Sequence, residues 1–339
     1  MLLNLAEYHW VEHIDDALLL LARHDTKTVP LAGGTYLLGI EDDSIQAVVD
    51  LRELGLAYIT ENTQGIHIGA MTTLQSMAEH PLLRELAMGL LARAALASSP
   101  SRLIRASATI GGTLGAGVAS QADLLMVLVA MDAYAVARSG SKTQVNLSGG
   151  TAERPGLALA GVTYTGKQER YLPCSSSMRE RRPNELIIEV IVPRPAAGSG
   201  ASFMRIGRTA TDVALLNAAA LVEVEDGVYQ RVRVALGGVN MQPVRLHVVE
   251  KHLAGQPVLY LAESQRVQAL LQAAMTEFRP PGDRLVSSGY RRASGVNLIY
   301  RTLEEATNTA YWRNTGSGEP ATVHSSAEVE TSSQNEGRK

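Results

Sequence analysis

Two glycine pairs and one acid carry the chemistry this sequence could do. The first pair lies in Pro30-Leu31-Ala32-Gly33-Gly34-Thr35, with Tyr36 and Leu37 following. The second lies in Thr109-Ile110-Gly111-Gly112-Thr113, and a lone carboxylate, Asp123, precedes an apolar run to Met131. Adjacent glycines leave no Cβ between backbone and ligand. Successive N–H groups in such a bend form a partly positive hollow that suits phosphate. Two bends, each with a hydroxyl beside it, suit one ligand with two phosphates held between them. Glycine pairs also mark ordinary tight turns, and Gly237-Gly238 is a third pair, so each bend alone says little. Neither bend follows a common nucleotide fingerprint. The residues after Gly112 are Thr113 and Leu114, where a P-loop needs lysine. Gly112, Gly115 and Gly117 run in the reverse of the Gly-x-Gly-x-x-Gly spacing.

The rest of the composition narrows the choice. At 339 residues the chain suits two domains with trimmings. Hydrophobic residues make up 45% and aromatics only 4%, so the core rests on Leu, Val, Ile and Ala. A net charge of −3 with no basic block gives no nucleic-acid surface. Cys174 is the single cysteine, so no iron–sulfur cluster can be held on this chain. His67 and His80 lack metal-ligand spacing, and no Ser-His-Asp or Cys-His set stands out. The N-terminus lacks the basic region and apolar core of a signal peptide. The apolar run at 18–22 is too short to span a bilayer. A cytoplasmic protein with no membrane span is the expectation.

Periodicity supplies the elements that must position these residues. Residues 14–23 read as a helix with Asp15 and Asp16 in its first turn. Residues 28–31, 47–51 and 65–69 read as strands. A helix over 72–79 is interrupted at Pro81 and resumes over 82–97, ending at Ser98-Ser99-Pro100. Residues 133–171 read as small strands with loops, and no motif is placed over 143–159. A buried strand spans 185–193 and a Pro/Gly-rich connector spans 194–201. Two antiparallel strands, 214–224 and 231–236, flank a hairpin turn at Glu225-Asp226-Gly227. Helices are expected over 244–253, 262–278 and 290–306. From 314 onward the apolar content is too low to offset ordering entropy, so the tail is expected to be disordered.

Six segments together resemble the FAD-binding (medium) subunit of the molybdenum hydroxylases, the xanthine dehydrogenase and aerobic carbon monoxide dehydrogenase group. They are PLAGGTYLL (30–38), RASATIGGT (105–113), ADLLMVLVAMDA (122–133), ELIIEVIVP (185–193), SFMRIGRTATDVALLNAAALVEV (202–224) and VALGGVNMQPVRL (234–246), in the family's order over roughly residues 1–305. The resemblance implies an α+β chain. A two-lobed FAD-binding domain of the PCMH type (1–176) would be followed by a strand and linker (177–200). A small α+β domain like the C-terminal domain of the carbon monoxide dehydrogenase flavoprotein (201–311) and a disordered tail (312–339) would complete it.

The resemblance also implies site residues. The amides of Gly33, Gly34, Gly111 and Gly112 would hold the FAD pyrophosphate, helped by the Thr35 and Thr109 hydroxyls. Leu31, Ala32, Tyr36, Leu37, Ile110 and Thr113 complete the two segments. Asp123 would accept hydrogen bonds from FAD hydroxyls. Ile188 would lie beside the flavin ring, Arg205 would place a positive charge near it, and Arg105 would support the second loop. Electrons would come from 2Fe-2S clusters on a small partner subunit. They would leave to NAD or another acceptor, while a large molybdopterin-binding partner oxidises the substrate within a heterotrimer. The chain departs from the family at Tyr36, usually small or acidic, and at Thr113, usually asparagine. These departures support the alternative of a non-catalytic assembly subunit that binds FAD weakly or not at all.

Overall fold

The computed structural model describes residues 2–117, 123–142, 164–176, 180–209, 211–240 and 242–315. Part of the small-residue stretch before Asp123, the segment 143–159 and the tail from 316 lie outside the described residues. Among the described residues, three sheets organise the chain. The first is parallel, ordered β1 (Glu7–Trp10), β3 (Ala47–Asp50), β2 (Thr28–Leu31). Helix α1 (Ile14–Leu21) packs beside it, burying Ala17, Leu18, Leu20 and Leu21 in one core with Val49. The second sheet is antiparallel, ordered β4 (Ile59–Asn62), β5 (Gly65–Gly69), β8 (Glu185–Val192), β6 (Tyr134–Lys142), β7 (Tyr164–Pro173). The third is also antiparallel, ordered β12 (Val244–Arg245), β11 (Val228–Gly237), β10 (Leu216–Glu225), β9 (Gly200–Ile206).

Between the second and third sheets lie short helices: α2 (Leu74–Glu79), α3 (Pro81–Glu85), α4 (Leu90–Ala97), α5 (Arg102–Ser107), α6 (Ile110–Ala116) and α7 (Asp123–Ala130). Every residue of α7 is buried, as expected for a helix that is apolar all round. It joins α4 and residues Ala219, Leu221 and Ala235 of the third sheet in one core. The far side of that sheet is covered by α8 (His247–Leu253), α9 (Ser264–Met275) and α10 (Ser288–Thr315). The expected α+β class is what the chain adopts. The hairpin turn is made by Asp226 and Gly227, both at positive φ (50° and 73°), the combination a two-residue primed turn requires.

Several elements differ from the sequence reading. The helix expected over 82–97 is two helices, because Ala87, Met88 and Gly89 all take left-handed φ (45°, 59° and 70°) between α3 and α4. Strands β1 and β4 were not anticipated; each has only four residues. Helix α5 was also missed, although Ser101 caps it by accepting from the Ile104 amide. The second glycine pair does not lie in a loop. Gly111 and Gly112 sit in the first turn of α6 behind the N-cap Thr109. Val244 and Arg245 pair as a strand before α8 begins. Helix α10 runs to Thr315, so the first residues assigned to the tail are helical.

Candidate functional site

A cavity of about 720 Å³ opens where the three sheets and the short helices converge. One wall is the loop after β2. Gly33 reaches this position because it has no side chain: a Cβ there would stand 1.6 Å from the Ser107 carbonyl oxygen at the end of α5. Gly34 follows at φ +70°, a conformation glycine adopts without penalty. Among the described residues, the amides of Gly33, Gly34, Thr35 and Tyr36 donate to no protein acceptor. Gly33 and Gly34 are half-buried and Thr35 and Tyr36 exposed, so these donors are open to a ligand or to water. Ala32, Gly33, Gly34, Thr35, Tyr36 and Leu37 all line the cavity.

The second glycine pair forms the facing wall but offers something different. Thr109, Gly111, Gly112 and Thr113 line the cavity. Their amides, however, are already bonded within the protein. Ile110 donates to Thr72 O at 3.0 Å, Gly111 to Ala70 O at 2.9 Å and Thr113 to Thr109 O at 2.9 Å. The Gly112 amide is held by the Thr109 hydroxyl at 3.0 Å. The Gly111 and Gly112 amides, expected to hold the pyrophosphate, are engaged by Ala70 O and by the Thr109 hydroxyl. Gly111 is required for packing, since a Cβ would lie 2.6 Å from the Ala70 Cβ. The two glycine segments do meet, with Ala32 Cβ 3.7 Å from the Cβ position of Gly112.

Asp123 lines the same cavity at the start of α7 and is 3% exposed. Asn217 Nδ2 donates to its Oδ1 at 2.7 Å, and Arg205 Nε stands 3.7 Å from Oδ2. Arg205 and Asn217 are cross-strand partners on β9 and β10, so the sheet register aims both at one carboxylate. Burial raises the Asp123 pKa above its ordinary value, against the Asn217 hydrogen bond and the Arg205 charge. Arg205 also donates to Ala97 O at 3.5 Å and to Asp212 O, tying three cavity walls together. Asn217 had no motif of its own in the sequence, although it lies within the segment 202–224.

Three expected site residues do not line the cavity. Leu31 ends β2, where its carbonyl accepts from Leu51. Ile110 is fully buried in the core beneath α6. Ile188 turns into the core around α1, whereas Leu186 and Ile187 reach the cavity. Leu186 shares that core with Ile188, two positions along the strand, while Ile187 faces the other core, with α7. Other lining residues were not anticipated, among them Arg181, Glu185 and Asp212. Arg105 lies behind the wall, as a support. Its guanidinium takes Gln75 Oε1 at 2.9 Å and Ser99 O at 2.6 Å, fixing the Ser98-Ser99-Pro100 segment that faces the cavity. The third glycine pair is elsewhere, with Gly238 O bonded by the buried Arg291.

This arrangement of a two-walled cavity, a row of unpaired amides and a buried acid agrees with the comparison with known proteins. Residues 4–195 match the family described as the FAD binding domain in molybdopterin dehydrogenase. The chain belongs to this family. Residues 201–306 match the CO dehydrogenase flavoprotein C-terminal domain. The chain is 29% identical over 309 residues to the 6-hydroxypseudooxynicotine dehydrogenase complex subunit alpha of Paenarthrobacter nicotinovorans, covering 90% of this chain and 95% of that one. It is 25% identical over 305 residues to the carbon monoxide dehydrogenase medium chain of Hydrogenophaga pseudoflava, covering 88% and 96%. A solved structure of carbon monoxide dehydrogenase from that organism superposes with a TM-score of 0.75 at 24% identity, over 90% of this chain and 98% of its own. The chain is thus a flavoprotein component of the molybdopterin dehydrogenase class.

Among the described residues, no group of three or more His, Cys, Asp or Glu is placed to hold a metal ion. Among them, no helix is long and apolar enough to cross a membrane. Cys174 is buried, and burial pushes its thiol up to about 12.

Proposed function

We propose that this chain holds FAD in the cavity between the two glycine segments and serves as the electron-transfer subunit of a molybdopterin-dependent dehydrogenase complex. The observation that carries the reading is the row of amides at Gly33, Gly34, Thr35 and Tyr36, unpaired among the described residues, in a loop that lines a cavity of about 720 Å³. Such a row suits the pyrophosphate oxygens. The Thr35 hydroxyl would assist it, and Thr109 would still have its hydroxyl proton to donate while its oxygen caps α6. Leu186 and Ile187 form an aliphatic wall suited to a flat ring. Asp123 would accept from ligand hydroxyls, with Arg205 and Asn217 fixing its orientation. Bound FAD supplies one-electron exchange on one side and two-electron exchange on the other. The protein's part is to place it, keep the phosphates neutralised and exclude water from the ring wall.

The electrons would come from 2Fe-2S clusters on a small partner, since the single cysteine here is buried and alone. Substrate oxidation would take place on a large molybdopterin-binding partner, and NAD or another acceptor would receive the electrons. The test is the absorption spectrum of the purified chain after desalting, with and without added FAD, together with the chains that co-purify. Retained flavin bands and co-purifying iron–sulfur and molybdopterin chains are the expected result. A chain that assembles with those partners but keeps no flavin is the assembly subunit that Tyr36 and Thr113 raised. Against that alternative, the cavity is present with Tyr36 in its wall, and Thr113 directs its hydroxyl to Thr109 O at 2.9 Å.

A further inference from the structure

Arg181 lines the cavity with a guanidinium edge that no described residue takes up. Its Nη1 donates to Glu185 O at 3.1 Å and to Arg182 O at 3.4 Å. Its Nε is buried, and among the described residues it meets no acceptor. Nη2 makes no hydrogen bond or ion pair among them either. Glu185 acts on Arg181 electrostatically, but its carboxylate is already engaged by Arg170 Nη1 at 2.7 Å and the Arg182 amide at 2.8 Å. A buried polar atom without a partner is costly and uncommon. Burial accordingly pulls the Arg181 guanidinium below its ordinary pKa.

The unused edge has a definite shape. Nε–H and Nη2–H lie side by side in the guanidinium plane and form a two-donor fork. The Nη1 bonds anchor this fork to the beginning of β8, where Glu185, Leu186 and Ile187 line the cavity. The phosphates have their own donors at Gly33, Gly34, Thr35 and Tyr36. The aliphatic wall beside Arg181 suits a ring. On the reading that FAD occupies this cavity, we infer that Arg181 is a positioning residue that directs its Nε/Nη2 fork at the planar oxygen–nitrogen acceptor edge of the isoalloxazine. The ring's pyrimidine portion gains electron density on reduction, so a fixed cation on that edge binds reduced flavin more tightly than oxidised flavin. Arg205 cannot take this role as freely, because its guanidinium is directed to Asp123, Ala97 and Asp212.

The test compares the full chain with Arg181→Leu, Arg181→Lys and Arg181→Gln, each loaded with FAD. The readouts are FAD affinity and the midpoint potential of the bound flavin. Arg181→Leu is expected to lose at least tenfold in its preference for reduced over oxidised FAD. For a two-electron couple that is a fall of about 30 mV or more. Arg181→Lys, which keeps the charge and loses the fork, is expected to fall between. If Arg181→Leu does not fold, Arg181→Gln removes the charge while keeping polarity, and its potential decides in the same way. An unchanged potential in a variant that holds FAD overturns the inference and leaves the FAD reading intact. A variant that is folded by its melting curve but loses FAD without a change in the potential of the remainder places Arg181 on the phosphates and also overturns it. A wild-type chain that holds no FAD overturns the FAD reading itself, and this assignment with it.

Discussion

Gly33→Ala gives the most direct test of how the cavity is built. An added methyl at residue 33 would lie 1.6 Å from the Ser107 oxygen, 2.5 Å from its carbonyl carbon and 3.1 Å from the Ala108 nitrogen. All three neighbours are backbone atoms, so no rotamer change can relieve the contact. An ordinary carbon–oxygen contact needs roughly 1.5 Å more room than this, which means moving the loop after β2 away from the end of α5. Overpacking of this kind costs about 1–3 kcal/mol, and this case belongs at the upper end because both sides are main chain. The displaced loop carries the Gly33, Gly34, Thr35 and Tyr36 amides. If about 2 kcal/mol of that cost falls on the ligand-competent arrangement, FAD affinity drops roughly 30-fold. Flavin retained after desalting, and a titration followed by quenching of FAD fluorescence, measure it. Gly39→Ala is the control, because a Cβ at Gly39 meets nothing within 4 Å. Wild-type flavin retention in Gly33→Ala would refute the view that contact with Ser107 sets the loop.

Three further outcomes follow from the same structure. Burial lifts the Asp123 pKa above 3.8, so between the unfolded and folded values the native state binds more protons. Its contribution to stability is therefore greatest below 3.8 and declines as pH rises through the folded value. Asp123→Asn should remove that slope from a pH series of melting curves. Arg291 is 2% exposed and holds Leu215 O, Gly238 O and Asp283. Arg291→Met leaves two carbonyls without this donor and Asp283 with only its backbone donors, costs about 3 kcal/mol, and should lower Tm by roughly 4 °C in a differential scanning measurement. Cys174, with its thiol raised to about 12, should resist alkylation at pH 8 in the native protein and react on unfolding. Rapid native labelling would contradict its burial.

The sequence made some elements of this fold plain, for identifiable reasons. Strands β2, β5 and β8 and the buried α7 are apolar, regular and bounded by clear punctuation, and local pattern sufficed for them. The break between α3 and α4 was invisible because Ala87 and Met88 are not residues that announce a left-handed backbone. Tertiary packing imposes that conformation. Strand β1 was hidden because Tyr8 and Trp10 alternate outward, 52% and 64% exposed, on a four-residue edge strand. Which of Leu186, Ile187 and Ile188 reaches the cavity is not legible in the sequence, because the run Leu186-Ile187-Ile188 is apolar throughout and carries no alternation.

The two glycine pairs show most clearly where reading by residue type stops. As sequence they are nearly equivalent: two small residues flanked by hydroxyls. In the fold they have opposite hydrogen-bonding states. Gly33 and Gly34 are held in a bend by close contact with α5 and by positive φ at Gly34, so their amides stay unpaired among the described residues. Gly111 and Gly112 are drawn into α6 because Thr109 caps it and Ala70 and Thr72 accept the first amides. The deciding factor is the surroundings each glycine finds, and for Gly33 and Gly111 these are non-local. Ser107, which fixes the first pair, is 74 positions away along the chain, the difference between 107 and 33. Ala70, which takes the Gly111 amide, comes from the turn after β5, and only the Gly112 amide finds its acceptor nearby, at Thr109. A cradle assigned from glycine pairs alone therefore gives both walls the same role. The fold gives the donors to the first wall, and leaves the second to supply shape and the Thr109 hydroxyl.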